Sequence, residues 1–269
     1  MLVASFREVD HGALLYLITG AATGLVGSML GLGGGVLLVP LLTLSLGVPI
    51  RTAIAASLFS VIASASASAT VNLSRGGLVN MRLGLVLEVA TSIGGIAGGL
   101  AAALLTPRQL YASFAVVMAL MGLVMAVRSG RRNVISDTER DPGRLGGRLV
   151  EGDRSYVYHV RRMPVALGSS LVAGAISGLL GVGGGIIKVP VLNSFCGVPI
   201  KVAAATSTFM IGVTAAASAI QYLARGDVAL SMTAAIALGA LPASLAGARL
   251  SNRVQARSLK VLMALLLLA

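Results

Sequence analysis

This sequence is short of charge. Only 11% of its 269 residues are Asp, Glu, Lys or Arg, against about 25% in soluble globular domains. Apolar residues reach 56% and mean hydropathy is +0.92. That balance excludes an ordinary soluble domain, and it excludes disorder, which needs low hydrophobicity and high net charge. A single cysteine, Cys196, excludes an intrachain disulfide and the thiol clusters of zinc or iron–sulfur centres. The two histidines, His11 and His159, lie in terminal and linker segments without neighbouring ligands, so no metal site is expected. Nucleotide motifs are missing as well. A dinucleotide fingerprint fails at Val36, where a glycine is required after Gly31 and Gly33. A P-loop fails because Lys188 stands between Ile187 and Val189. No cofactor is expected, and the composition is that of a polytopic membrane protein.

The formal charge of +12 is unevenly placed. Nine arginines and five acids fall between Arg128 and Arg162. The rest of the chain is apolar runs separated by short loops. Runs 52–73, 83–105, 109–127, 202–223 and 229–250 meet the roughly 20 residues needed to cross a bilayer. Runs 36–46 and 186–196 are too short. Near the N-terminus, Arg7 is offset by Glu8 and Asp10, which gives no basic region of the kind that opens a secretory signal. The expected organisation is a membrane repeat at 12–127, an Arg-rich cytoplasmic linker at 128–164 and a second membrane repeat at 165–269. The linker arginines read as a solvated loop that sets orientation, not as a nucleic-acid surface.

A shift of 150 residues lays the sequence on itself without a gap. Gly33-Gly34-Gly35 falls on Gly183-Gly184-Gly185, Val39-Pro40 on Val189-Pro190, and Gly47-Val48-Pro49-Ile50 on Gly197-Val198-Pro199-Ile200. Thirteen of the 25 positions from 33 to 57 are identical to their partners. With the linker inside, basic residues in the later loops (Arg253, Arg257, Lys260) also fall inside only if each glycine-broken unit returns to the side it entered from. Each repeat then has an odd number of crossings and the two repeats are inverted. The expected fold is all-α, with two inverted repeats of four to five helical segments and short glycine-broken helices. Arg51 and Arg225 are left outside, against the positive-inside rule.

The glycine breaks are the first candidate site. Three consecutive glycines end a helix, and irregular backbone at membrane depth is tolerated only inside protein or beside a wet cavity. Each following run would begin as a half-helix whose free N–H groups and positive end attract an anion. Gly33, Gly34, Gly35, Gly183, Gly184 and Gly185 are therefore candidate substrate-binding residues. Lys188 is the sharpest single residue, a cation inside an apolar run where its repeat partner is Leu38. Glu88 is the intramembrane acid, a natural partner for Lys188 and a candidate for proton coupling. Ser57, Thr206 and Ser207 offer neutral hydrogen bonds to an oxyanion. Gly94, Gly95, Gly98 and Gly99 and the Ser64–Ser68 run read as close helix packing.

These paired Gly-x-Gly-Gly-Gly-x-x-x-Val-Pro and Gly-Val-Pro-Ile elements resemble those of the TauE/SafE sulfite exporter family. The resemblance covers both membrane halves, about 20–127 and 165–269, but not the linker. It implies a multi-pass plasma-membrane protein of a bacterium or archaeon that moves small sulfur-containing anions such as sulfite, sulfonates or thiosulfate. The expected function is secondary transport, in the export direction, by alternating access of the two halves. An anion channel or ion-coupled importer on the same scaffold is the alternative. A membrane enzyme acting on a lipid-linked anion stands further off, because paired acid–base groups are lacking. The expected partners are a small anion and the lipid bilayer.

Overall fold

The computed structural model describes residues 2–31, 33–74, 78–127, 143–151 and 154–250. Arg253, Arg257 and Lys260 lie outside them. The chain runs as α1 (Leu2–Leu30), α2 (Gly35–Pro40) continued by a π-helical turn (Leu41–Ser45), α3 (Ile50–Leu73), α4 (Met81–Leu104) and α5 (Pro107–Val127). A hairpin of β1 (Gly147–Glu151) and β2 (Arg154–Tyr158) follows, then α6 (Met163–Leu180), α7 (Gly185–Ser194), α8 (Ile200–Ala224) and α9 (Leu230–Leu250). Six of these helices are long and apolar enough to cross a membrane. At 1.5 Å per residue the 24 residues of α3 extend about 36 Å, against a hydrocarbon core of about 30 Å.

Local chemistry sets the boundaries. Pro49 and Pro199 stand immediately before α3 and α8 with extended ψ values of 136° and 140°, and Asn80 caps α4 by accepting the Leu83 N–H at 3.0 Å. Gly181, at φ 72°, closes α6 in the left-handed conformation.

The halves of the sequence exchange helices. In space α1 packs on α9, and α4 packs on α6. One lobe gathers α1, α2, α3 and α9, the other α4, α6, α7 and α8, and α3 meets α8 between them. The 150-residue shift carries one lobe onto the other, with α1 onto α6, α2 onto α7, α3 onto α8 and α9 onto α4. The duplication read in the sequence is thus repeated in the packing.

Directions can be read from hydrogen bonds. The Arg161 N–H donates to Cys196 O at 2.9 Å and the Tyr222 hydroxyl to Gly178 O at 3.0 Å. Both the starts and the ends of α6 and α8 are therefore side by side, and the chain between them has returned to the side it left. Asn80 N–H donates to Thr206 Oγ1 at 2.9 Å and Arg225 to Gly99 O at 2.8 Å, so α8 runs parallel to α4. Arg51 donates to Leu105 O at 2.8 Å, placing the start of α3 at the end of α4. Hence α3 runs opposite to α8. Both arginines find carbonyls toward the C-terminal end of α4, a favourable place for a cation and a reason for two positive residues at that end.

The linker departs from expectation. A solvated loop is expected there; residues 128–142 lie outside the described ones, while Gly147–Glu151 and Arg154–Tyr158 pair antiparallel, Gly147 with Tyr158 and Glu151 with Arg154. Leu149 and Tyr158 join Leu83, Leu87, Leu192 and Val198 in a buried cluster. Leu149 and Tyr158 lie on one face of the hairpin, and Val157, paired with Arg148, is buried on the other.

Close packing of the exchanged pairs depends on glycine. A Cβ at Gly94 would fall on Leu171 O, at Gly98 on Ala175 O, and at Gly174 on Thr91 O. Across α1 and α9 a Cβ at Gly20 would fall on Ile236 O and at Gly239 on Leu17 O. Gly174→Ala is accordingly expected to cost about 1–3 kcal/mol through overpacking, and to lower the melting temperature in detergent. Gly168→Ala, on the same helix with nothing within 4 Å, should hold or raise it through the roughly 1 kcal/mol helix-propensity gain.

Candidate functional site

The two glycine breaks adopt the same backbone. Gly31, Gly33 and Gly34 have φ of 71°, 76° and 79°, and Gly181, Gly183 and Gly184 have 72°, 85° and 66°. Only glycine takes such values repeatedly without strain. Each short helix then begins alike: Leu37 and Leu38 N–H donate to Gly34 O, and Ile187 and Lys188 N–H donate to Gly184 O. The N–H groups of Gly35 and Val36, and of Gly185 and Ile186, lie ahead of these ladders, as the first amides of any helix do.

The breaks touch across the seam between the lobes. A Cβ on Gly35 would meet Gly181 O and Ser57 Oγ, and one on Gly185 would meet Gly31 O at 3.2 Å and Ser207 Oγ at 3.4 Å. Ser57 donates its hydroxyl proton to Gly181 O at 2.8 Å. A hydroxyl has one proton to give, so Ser57 fastens the breaks together and has no donor left for an anion. Ser207, its repeat partner, is fully buried, and its hydroxyl has no hydrogen-bond partner among the described residues.

Lys188 and Glu88 are brought together. Lys188 sits one turn into α7, 1% exposed, and Glu88 two turns into α4, 6% exposed. Their nearest charged atoms, Nζ and Oε2, are 3.9 Å apart. Glu88 Oε1 accepts from the Thr214 hydroxyl at 2.7 Å and from Ser92 at 3.1 Å. Oε2 and Nζ have no hydrogen-bond partner among the described residues. Opposite charges at that range attract by about 4 kcal/mol at an effective dielectric near 20. Withdrawing each ion from water costs several kcal/mol. Coulomb attraction without a hydrogen bond does not repay that cost, so stability alone gives no reason for the pair.

Other expected residues take structural positions. Thr206 accepts the Asn80 N–H at 2.9 Å, which binds the start of α4 to α8. Sequence reasoning passed over Asn80, Ser92 and Thr214. For Asn80 a signal existed, since asparagine directly before an apolar helical run is an N-cap pattern. Thr214 is legible only through its contact with Glu88.

The linker hairpin covers one end of this assembly. Asn80 donates through Nδ2 to Leu145 O at 2.8 Å and to the Tyr158 hydroxyl at 3.0 Å. Burial pushes the Tyr158 phenol above its ordinary value, with the Asn80 hydrogen bond opposing. Beneath the hairpin, Cys196 lies fully buried in the α7–α8 turn, and burial raises its thiol despite the nearby Arg162.

With the half-helices, the seam and the buried pair in place, comparison with known proteins becomes informative. The profile of the sulfite exporter TauE/SafE family matches residues 16–269. The chain belongs to that family. It is 26% identical over 262 residues to the probable membrane transporter protein YunE of Bacillus subtilis, covering 95% of this chain and 94% of the relative. A probable membrane transporter protein of Methanocaldococcus jannaschii is 24% identical over 268 residues, 94% of this chain and 91% of its own. Sulfite exporter TauE/SafE family protein 1 of Arabidopsis thaliana is 39% identical over 88 residues, which span 33% of this chain and 19% of that protein. No solved structure matches. As a TauE/SafE protein with six span-length helices, the chain is an integral membrane transporter.

Cys196 reports on the hairpin. Its raised thiol holds little thiolate at neutral pH, so maleimide labelling of the folded protein should be slow. Asn80→Ala, which releases Tyr158, should speed labelling at least severalfold, measured by mass shift over time.

Proposed function

We propose that this TauE/SafE protein is a secondary transporter of small sulfur oxyanions, such as sulfite, thiosulfate or sulfonates, working in the export direction. The observation that carries the reading is the Lys188 ammonium, 1% exposed, with no hydrogen-bond acceptor among the described residues. A buried cation whose donors are unmatched is a place for an anion's oxygens. The leading N–H groups of α7 and the free Ser207 hydroxyl supply further donors, and Gly183, Gly184 and Gly185 let the ligand approach the backbone. The first break, Gly33 to Gly35, forms the facing wall. Small oxyanions fit this donor set better than a carboxylic or nucleotide substrate does, because it is compact and lacks the aromatic surface that binds bases.

Alternating access would act at the α3–α8 seam. The exchanged lobes are the moving bodies in this reading, not the two halves of the sequence. The opposite run of α3 and α8 supports inverted orientation of the repeats in the bilayer, with the linker hairpin on the cytoplasmic face of a bacterial or archaeal plasma membrane. Contact between the breaks admits no extra methyl group, which favours a carrier that must open over a standing channel.

Titration of purified protein with sulfite, thiosulfate and methanesulfonate tests the reading. Loss of charged hydrogen bonds worth about 1.5–3 kcal/mol each should make Lys188→Ala bind about 10- to 100-fold more weakly, with Lys188→Arg retaining part of the affinity. Unchanged affinity in a folded Lys188→Ala protein would remove Lys188 from the site.

A further inference from the structure

We infer that Glu88 is the proton carrier of the transport cycle, taking up one proton for each monoanion that Lys188 binds. The inference rests on the anion site proposed above and adds the ion coupling.

Charge balance in a dry interior carries the argument. Among the described residues, Lys188 and Glu88 are the only buried members of the Asp, Glu, Lys and Arg set. Together they are neutral, which is the arrangement a low-dielectric core tolerates. A monoanion brought to Lys188 would turn that neutral pair into a net negative cluster beside an unprotonated carboxylate 3.9 Å from the same ammonium. Protonation of Glu88 restores neutrality: Lys188 stays cationic, the ligand becomes its counter-ion, and Glu88 is a neutral acid. The carboxyl is built for the exchange. Oε1 stays held by Thr214 and Ser92, while Oε2 faces Lys188 with no hydrogen bond and can receive the proton. Departure of the anion returns the proton to water on the release side and restores the ion pair.

Among the described residues no other ionisable group stands in for Glu88. Helix α6, packed along α4, has none between Met163 and Leu180. On α8, Lys201 is exposed at the start, and Tyr222 and Arg225 lie at the far end beside Gly178 and Gly99. On α4 itself Arg82 is exposed in the first turn, and Tyr158 lies over that same end through Asn80. On α7 the facing group is Lys188. The 150-residue shift places Leu38 opposite Lys188 and Leu238 opposite Glu88. The duplicated fold therefore holds one such pair, which sets the ratio at one proton per monoanion. Because proton and anion move together, an inward acid gradient drives uptake, and export runs down the anion's own outward gradient.

Proteoliposome flux tests this with sulfite, thiosulfate and methanesulfonate, the last a monoanion at every working pH, so that any proton moved with it is the protein's. With the membrane potential clamped at zero, an acid exterior should drive wild-type accumulation above the external concentration, about tenfold at most per pH unit. An interior pH dye should record one proton per methanesulfonate. Glu88→Gln should bind anions and exchange them, yet lose accumulation driven by the pH gradient and respond to voltage, since anion then moves without proton. Glu88→Asp should restore proton coupling in part. A wild type that accumulates none of the three anions above equilibrium under the pH gradient, or a Glu88→Gln protein that still does, overturns the proton role while leaving anion binding intact. Failure of all three anions to bind, or binding that survives Lys188→Ala, overturns the anion site itself.

Discussion

Backbone pressed against backbone is the constraint on which this molecule depends. Lipid tails are as apolar as the helices they surround, so helix pairing cannot draw on the hydrophobic effect and relies on close contact. Glycines at 20 and 239, and at 94, 98 and 174, remove the side chains that would separate α1 from α9 and α4 from α6. Two pairs of helices thereby become stiff units made from opposite halves of the sequence. Relative movement is left to the seam where α3 meets α8 and where the glycine breaks face one another. The parts that hold the fold and the parts proposed to carry the anion are thus kept separate.

Within a duplicated framework the chemistry is unequal. Both breaks share their dihedrals and their first helical hydrogen bonds, yet only the second copy places a charged side chain one turn into its short helix. The two repeat-related serines differ in the same direction: Ser57 spends its proton on Gly181 O while Ser207 keeps its own.

Much of this was legible in the sequence where the signal is local or rare. Consecutive glycines in an apolar run mark a break whatever surrounds them, and the short runs after them appear as α2 with its π-helical turn and as α7. Two ionisable residues in otherwise apolar spans had few partners to choose from, and Lys188 and Glu88 are side by side. What escaped depends on contacts between distant segments. Periodicity says which face of α4 is small but not that α6 of the other half fills it. Arginine abundance in the linker hid the two short strands, Gly147–Glu151 and Arg154–Tyr158, that pair there. The hydroxyl of Ser57 looks available because nothing near it in sequence takes its hydrogen bond. Gly181 O, 124 residues away, does so in the fold.

The helix exchange also has a consequence for how such a chain is made. Chains emerge N-terminus first, so α1 enters the bilayer long before α9 exists, and α4 before α6. During synthesis the glycine faces of α1 and α4 are covered by lipid alone, with their eventual neighbours still untranslated. The earliest helix is completed by the last one described. A ribosome that stops short of residue 230 therefore leaves the lobe of α4, α6, α7 and α8 complete and the lobe of α1, α2 and α3 without its α9, so the part made first is the part left unfinished.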